Sequence, residues 1–331
     1  MTPIPSAEDV HKAAGRIAGL VAKTPLLRCA KLDEITGGQV FLKAECLQNT
    51  GSFKIRGAMN HLAKMSPEDR AKGVVAWSSG NHAQGVAAAA KRFRSAAKIV
   101  MPADAPHAKI ETTAALGAEI IFYDRARENR EEIGRRIAAE EGRIIIPPYD
   151  HADTICGQGT VGLEAIAQAE ASKVRLDDVL VPVSGGGLAA GIGLVMKDHF
   201  PSIQLYAVEP AGFDDHCRSL ISGQLQTNTT ATAGSLCDAL LAPTPGVLTW
   251  RLNRTQMAGG YTVPDDNVLT AMAFAHRHLG LRLEPGGAIA LAAALSGRHS
   301  AQGRNVCVIL SGGNVDDDTF NRALDHQLDV I

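Results

Sequence analysis

The chain has 331 residues and a formal net charge of −2, with 45% hydrophobic, 21% charged and 4% aromatic side chains. At ~100–200 residues per domain this is enough for two domains, or for one large α/β unit carrying an insertion. The near-neutral balance lacks the basic footprint of a nucleic-acid or anionic-membrane binder, and no apolar run approaches the ~18 residues that suggest a transmembrane helix.

The first twenty residues have no basic start followed by an apolar stretch, so no signal peptide is expected. The cysteines, at 29, 46, 156, 217, 237 and 307, form no CxxC pair. Reduced thiols and a cytoplasmic location follow as expectations, with Cys237 read as packing. Strand-like runs begin with "QVFLKAE" near residue 40, then "GVVAWSS" (73–79), "AKIVMP" (97–102) and "AEIIFYD" (118–124). The stretch from Asp124 to Arg143 reads as one long charged helix with a solvated face and i,i+4 pairs. Pro147-Pro148 marks a crossover. Three further strands lie in "DDVLVPVSGGG" (177–187), "QLYAVEP" (204–210) and "VCVILSGGN" (306–314). Near-continuous apolar strands alternating with helices predict an α/β fold of mostly parallel sheets flanked by helices. Residues 73–147 are expected to form a small domain inserted into a larger one made of 1–72 and 148–331.

Several loops at predicted strand ends combine glycine with hydroxyl groups. Ser184 to Leu188 can present successive N–H groups to a single phosphate at a helix N-terminus; a plain strand–helix turn is the other reading. No Walker lysine follows, and only Glu209 could take the acidic ribose role of a dinucleotide fold. "SSGNHAQG" (78–85) suits a carboxylate or a polar ring substituent, and "LSGGNVD" (310–316) closes the last strand. Ligands of open parallel sheets gather at such strand ends. "NTGSFKIRGA" (49–58) places Lys54 at the start of a helix.

Together these segments carry a resemblance. "NTGSFKIRGA", "SSGNHAQG", "GQGT" (157–160), "SGGGLAAG" and "SGGNVD" occur in this order in fold-type II pyridoxal-phosphate enzymes. The chain resembles the threonine/serine dehydratase and serine racemase branch, from "TPLL" (24–27) to "SGGNVD". The resemblance implies a tryptophan synthase β-subunit-like fold with two open, twisted sheets. It implies a Schiff base on Lys54, Phe53 beside the cofactor ring and Asn81 on the ring hydroxyl. Ser184, Gly185, Gly186, Gly187 and Leu188 would cup the phosphate, and Ser311 would face the pyridine nitrogen. Ser78, Ser79, Gly80 and His82 would hold the substrate carboxylate.

The implied reaction is dehydration and deamination of L-threonine or L-serine to a 2-keto acid and ammonia. Lys54 would take the α-proton, and a neutral serine at the pyridine nitrogen favours elimination over transamination. Serine racemase and 3-hydroxyaspartate dehydratase are the alternatives within the branch. Ser79 either returns a proton on the opposite face, as in racemases, or only binds a carboxylate. A hydroxyaspartate enzyme needs a cation for the second carboxylate; Arg56 and His82 are nearest in sequence. A non-catalytic amino-acid-binding regulator is the reading from another class, and the intact Lys54 argues against it.

The resemblance further implies a Mg²⁺ or Ca²⁺ site at Glu209, the carbonyl of Phe213 and Asp215; an acidic turn without an ion is the other reading. His216 and Cys217 are expected to point elsewhere. Glu284 either positions the cofactor ring or caps its helix. Tyr149 falls near the cofactor face, and the neighbouring Asp150 and His151 could influence side-chain choice. A homodimer is the family expectation, with a small hydroxy amino acid as the ligand. No isoleucine-binding regulatory domain is expected after "SGGNVDDDTF".

Overall fold

Among the residues described by the computed structural model, which are 4–105, 107–228 and 234–326, ten strands fall into two sheets. They are β1 (Leu26–Arg28), β2 (Gln39–Ala44), β3 (Val74–Trp77), β4 (Ala97–Pro102), β5 (Glu119–Tyr123), β6 (Ile144–Ile145), β7 (Asp178–Pro182), β8 (Gln204–Pro210), β9 (Met257–Val263) and β10 (Asn305–Leu310). The six-stranded sheet runs β1-β2-β10-β7-β8-β9, parallel except for the antiparallel β1–β2 pair. The four-stranded sheet runs β5-β4-β3-β6 and is parallel throughout. The expected α/β fold with two mostly parallel sheets is therefore present.

The apolar strand sequences follow from burial on both faces. On β10, Val306, Val308 and Leu310 join the core beneath helices Asp265–Leu279 and Pro285–Leu295. Cys307 and Ile309 join the opposite core, under helices Ala152–Ala171 and Gly187–His199. Successive residues of a strand point to opposite faces, so a strand buried on both needs apolar side chains at every position. The four-stranded sheet repeats this with Val74 and Ala76 on one face and Val75 on the other. Ile55, Met59 and Leu62 of helix Lys54–Lys64 belong to the core of the four-stranded sheet, although that helix follows β2 of the six-stranded one. Lys54 thus stands between the two sheets.

Three strands lay outside the sequence expectation. β1 and β6 have three and two residues, and β9 carries Gly259 and Gly260, which weaken a strand signal. The long charged helix is also shorter than expected. It spans Arg130–Glu141, with Asn129 Oδ1 accepting from the N–H of Glu131 at 2.9 Å. Residues 124–128 form a turn in which the Asp124 carbonyl accepts from Arg127 and Glu128. All six cysteines are free, and no helix among the described residues is long and apolar enough to cross a membrane.

Candidate active site

Strands β2, β10 and β7 lie side by side and end at the same edge of their sheet. The segments after them carry Lys54, Ser311 and the Ser184–Leu188 loop. β3 and β6 of the other sheet deliver Ser78–His82 and Pro147–Tyr149. These segments enclose a cavity of about 630 Å³. Every cofactor and substrate residue expected from the sequence lines it: Phe53, Lys54, Ser78, Ser79, Gly80, Asn81, His82, Ser184, Gly185, Gly186, Gly187, Leu188, Glu284 and Ser311.

Lys54 is the first residue of its helix, and its Nζ donates to the Pro148 carbonyl at 2.9 Å. The Nζ also lies 5.2 Å from the Phe53 ring centroid. Burial pushes the amine down to about 8, against an opposing pull from Glu284. A substantial neutral fraction is therefore present near physiological pH, as a nucleophilic amine requires.

Two residues on, Arg56 anchors this helix. It is fully buried and donates to the Glu45 carboxylate at 2.7 and 2.8 Å and to Glu164 at 2.7 and 2.9 Å. Lys43 Nζ adds a 2.7 Å contact to Glu164. Arg56 is therefore unavailable to a substrate carboxylate, which corrects its sequence-based candidacy. The "GQGT" segment explains how tightly the elements meet. A Cβ on Gly157 would lie 2.4 Å from the Arg56 carbonyl oxygen, and one on Gly159 would lie 2.7 Å from that of Gly191.

The glycine loop opens helix Gly187–His199, with Gly186 at φ +91°, a conformation open to glycine and strained for most other residues. Its carbonyls are turned away and tied down. Thr249 Oγ1 donates to the Gly185 carbonyl at 2.6 Å, and Asn253 Nδ2 to that of Gly186 at 3.1 Å. Among the described residues, the N–H groups of Gly185 to Leu188 donate to no protein acceptor. Free amides at a helix N-terminus form an anion cradle, and these residues fit a phosphate. Ser184 Oγ accepts from the Ala242 N–H at 3.1 Å. The Tyr149 ring lies directly over Gly185, where an added Cβ would come within 2.4 Å of it.

A polar chain forms the opposite wall. Asn81 Nδ2 donates to Glu284 Oε1 at 2.6 Å, and Asn314 Nδ2 donates to Asn81 Oδ1 at 2.7 Å. Burial, reinforced by Asp238, pushes Glu284 up to about 7. Glu284 precedes helix Pro285–Leu295 but its side chain makes no capping bond, so the capping reading falls away. Ser311 Oγ makes a 3.4 Å contact with the Gly286 carbonyl. His82 Nε2 lies 2.8 Å from the Ile146 carbonyl, and burial followed by the Lys54 charge lowers its pKa to about 3, so it is no cation for a carboxylate.

The cavity rim holds what the sequence reading missed. Lys109, Arg125, Arg130 and Arg135 all line it, three of them from the stretch expected to be merely solvated. Lys109 Nζ meets Asp238 Oδ2 at 2.7 Å, Arg125 pairs with Asp104, and Arg135 pairs with Glu131. Arg130 has no ion-pair partner among the described residues. The i,i+4 charge pattern was legible, but which side of the helix meets the cavity depends on packing. Asp150 lines the cavity too, yet its carboxylate accepts from the N–H groups of Val247, Leu248 and Thr249 at 3.0, 2.8 and 3.1 Å. It is a helix cap, which corrects its role in side-chain choice. His151 stacks on His61 and is absent from the cavity lining.

Glu209, Phe213 and Asp215 lie outside this cavity, at the end of β8. Glu209 accepts the backbone N–H of His216 and Cys217 at 3.0 and 2.7 Å. Asp215 Oδ1 accepts from Asn228 at 2.6 Å, while its buried Oδ2 has no partner among the described residues. Burial and the nearby Asp215 push Glu209 up to about 8; burial pushes Asp215 up to about 6. Two adjoining buried carboxylates with an orphan oxygen fit a hard cation. The His216 ring goes elsewhere, against Trp250, but the Cys217 side chain hydrogen-bonds the Glu209 carboxylate, which corrects the expectation that it points away.

A lysine with a depressed pKa facing a phosphate cradle defines a class of enzyme, one that tethers a phosphorylated aldehyde cofactor. Residues 17–312 match the family described as pyridoxal-phosphate dependent enzyme, and the chain belongs to that family, with the type II fold. It is 41% identical over 314 residues to the L-threo-3-hydroxyaspartate ammonia-lyase of Saccharomyces cerevisiae, covering 95% of this chain and 94% of the yeast protein. The structure of maize serine racemase superposes with a TM-score of 0.91 at 38% identity, covering 97% of each chain. The threonine deaminase of T.th. superposes with a TM-score of 0.88 at 40% identity, covering 94% of this chain and 99% of that one.

Proposed function

We propose that the chain eliminates water from a β-hydroxy amino acid, whose enamine product then takes up water to give a 2-keto acid and ammonia, and that it prefers 3-hydroxyaspartate over threonine and serine. The observation that carries the preference is Arg130, a guanidinium with no ion-pair partner among the described residues, at the rim of the cavity that holds Lys54. A second carboxylate on the substrate gives it a partner, and charge-assisted carboxylate–guanidinium pairs are among the stronger hydrogen bonds. The similarity to the yeast ammonia-lyase supports the same reading.

Bound pyridoxal phosphate supplies the electron sink that makes the α-proton removable. The residues of this chain do the rest. The Ser184–Leu188 amides hold the phosphate. Asn81, fixed by Glu284 and Asn314, and Ser311 hold the ring, with Phe53 against it. Ser311 is a neutral partner for the ring nitrogen and does not hold a proton there. Ser78, Ser79, Gly80 and the N-terminus of helix Asn81–Phe93 bind the α-carboxylate. The Lys54 amine is the attachment point and the base for the α-proton. Glu209, Asp215 and the Phe213 carbonyl hold Mg²⁺ or Ca²⁺ in a structural role. Residues 73–147 act as a small domain that brings Ser78–Asn81 and Arg130 over the larger one.

A second reading, serine racemisation, rests on Ser79. Ser79 lines the same cavity as Lys54, from the segment after β3 of the other sheet, and its hydroxyl has no hydrogen-bond partner among the described residues. Keto-acid release from L-threo-3-hydroxyaspartate, L-serine and L-threonine by wild type and Arg130→Ala tests the main reading. The expected loss for hydroxyaspartate is about ten- to a hundredfold in kcat/KM, the scale of one charge-assisted hydrogen bond of ~1.5–3 kcal/mol. Serine turnover should barely change. Faster turnover of serine or threonine by wild type, or an equal loss on all three, would reject the preference. Formation of D-serine that disappears in Ser79→Ala would support the second reading.

A further inference from the structure

We propose that His61, His151 and Asp153 form a binding site for a late first-row divalent ion such as Zn²⁺, separate from the carboxylate pair at Glu209 and Asp215. His61 comes from the last turn of helix Lys54–Lys64, while His151 and Asp153 come from the start of helix Ala152–Ala171. One ligating atom from each lies within 4.8 Å of the other two. The two imidazoles stack with centroids 4.6 Å apart and planes inclined by 30°.

The second observation is an orphan. His61 is only 6% exposed, and its Nδ1 is buried without a hydrogen-bond partner among the described residues. Buried polar atoms are normally satisfied, so such an atom calls for an explanation. Burial, and then the adjacent His151, lowers the pKa of His61 to about 4, and burial lowers that of His151. Both rings are thus neutral at physiological pH, the form that ligates a metal, and binding need not expel protons. Two imidazoles and one carboxylate, with water completing the shell, are a donor set for zinc. Mg²⁺ and Ca²⁺ prefer oxygen donors and would stay at the carboxylate pair.

Two local contacts must give way. Lys64 Nζ holds Asp153 Oδ1 at 2.6 Å, and the Asp153 N–H donates to His151 Nδ1 at 3.2 Å. Lys64 is 54% exposed, so its ion pair is one that water readily replaces. Ligand atoms on a single zinc sit roughly 3.3 Å apart, given its bond lengths and tetrahedral angles, so imidazole rotation has to close about 1.5 Å. A cleft of about 100 Å³, lined by Asp153, Lys64, Asp9 and Arg16 but by neither histidine, opens on the Asp153 side of the site. The site adjoins the catalytic segment, since His151 follows Pro148, whose carbonyl accepts from Lys54, by three residues.

The test is calorimetric titration of the pyridoxal-phosphate-loaded enzyme with ZnCl₂, in excess Mg²⁺ to fill the carboxylate pair. One Zn²⁺ per chain should bind, with affinity at least about tenfold weaker in both His151→Gln and Asp153→Asn. Unchanged thermal midpoints would show that both variants fold. Absence of Zn²⁺ binding, wild-type affinity in either variant, or loss of binding only after thiol alkylation would overturn the proposal.

Discussion

Asn81 Nδ2 donates to Glu284 Oε1 at 2.6 Å, joining the helix after β3 of the four-stranded sheet to the helix before β10 of the six-stranded one. The bond crosses the candidate active site and ties its two halves together. Glu284 sits near its protonation midpoint at neutral pH because burial disfavours the charge. Glu284→Ala leaves the Asn81 amide without its acceptor. The expected cost is ~1–3 kcal/mol of stability, that of an unsatisfied buried donor, read as a lowered urea midpoint. Glu284→Gln restores an acceptor and should recover most of the loss.

Arg56 should matter more for stability than any rim arginine. Arg56→Met leaves Glu45 and Glu164 facing each other with only Lys43 nearby, and breaking a buried pair costs ~3–5 kcal/mol. Arg135→Ala removes an exposed i,i+4 pair with Glu131 and should cost under about 0.5 kcal/mol. Thermal unfolding of the two variants side by side checks the contrast.

The lowered pKa of Lys54 fixes the sign of a pH effect on cofactor loading. Only the neutral amine attacks an aldehyde, and its fraction rises with pH through about 8. Recombination of the apoenzyme with pyridoxal phosphate should therefore accelerate from pH 6 to 8 and level off above. A flat rate over that range would mean that the amine is already neutral at pH 6.

The carboxylate pair predicts a cation-dependent stability profile. Folding raises Glu209 to about 8 and Asp215 to about 6, so the metal-free native state binds more protons than the unfolded chain. This contribution is fully present below the unfolded value of ~4–4.5 and is lost as pH rises through the folded values. Chelated enzyme should lose thermal stability between pH 5 and pH 8.5. Mg²⁺ or Ca²⁺ should restore it, with a larger gain at pH 8.5 than at pH 5. Thermal midpoints with and without chelator at the two pH values measure this.

Much of the site was legible because it is built from backbone. Glycine–hydroxyl loops at strand ends announce themselves in sequence, and Ser184–Leu188, Ser78–Asn81 and Ser311 converge on one cavity with Lys54. Seven of the ten strands were visible through their apolar runs. β1, β6 and β9 were not, being too short or too rich in glycine for a periodic signal. Charged side chains were the hardest to place. Arg56, two residues from Lys54, is spent in a buried ion cluster, while Arg130, far away in sequence, reaches the cavity rim. Nothing in local sequence separates these fates, because each depends on packing between segments distant in the chain. The His61–His151 stack was hidden for the same reason, its members lying ninety residues apart.

The central claim is that Lys54 carries the cofactor. Borohydride reduction of the loaded enzyme followed by peptide mass mapping tests it most directly. The account predicts a phosphopyridoxyl group on Lys54 alone, and a Lys54→Ala enzyme that is neither labelled nor able to release keto acid. Label on another lysine, or keto-acid release by Lys54→Ala at the wild-type rate, would contradict it.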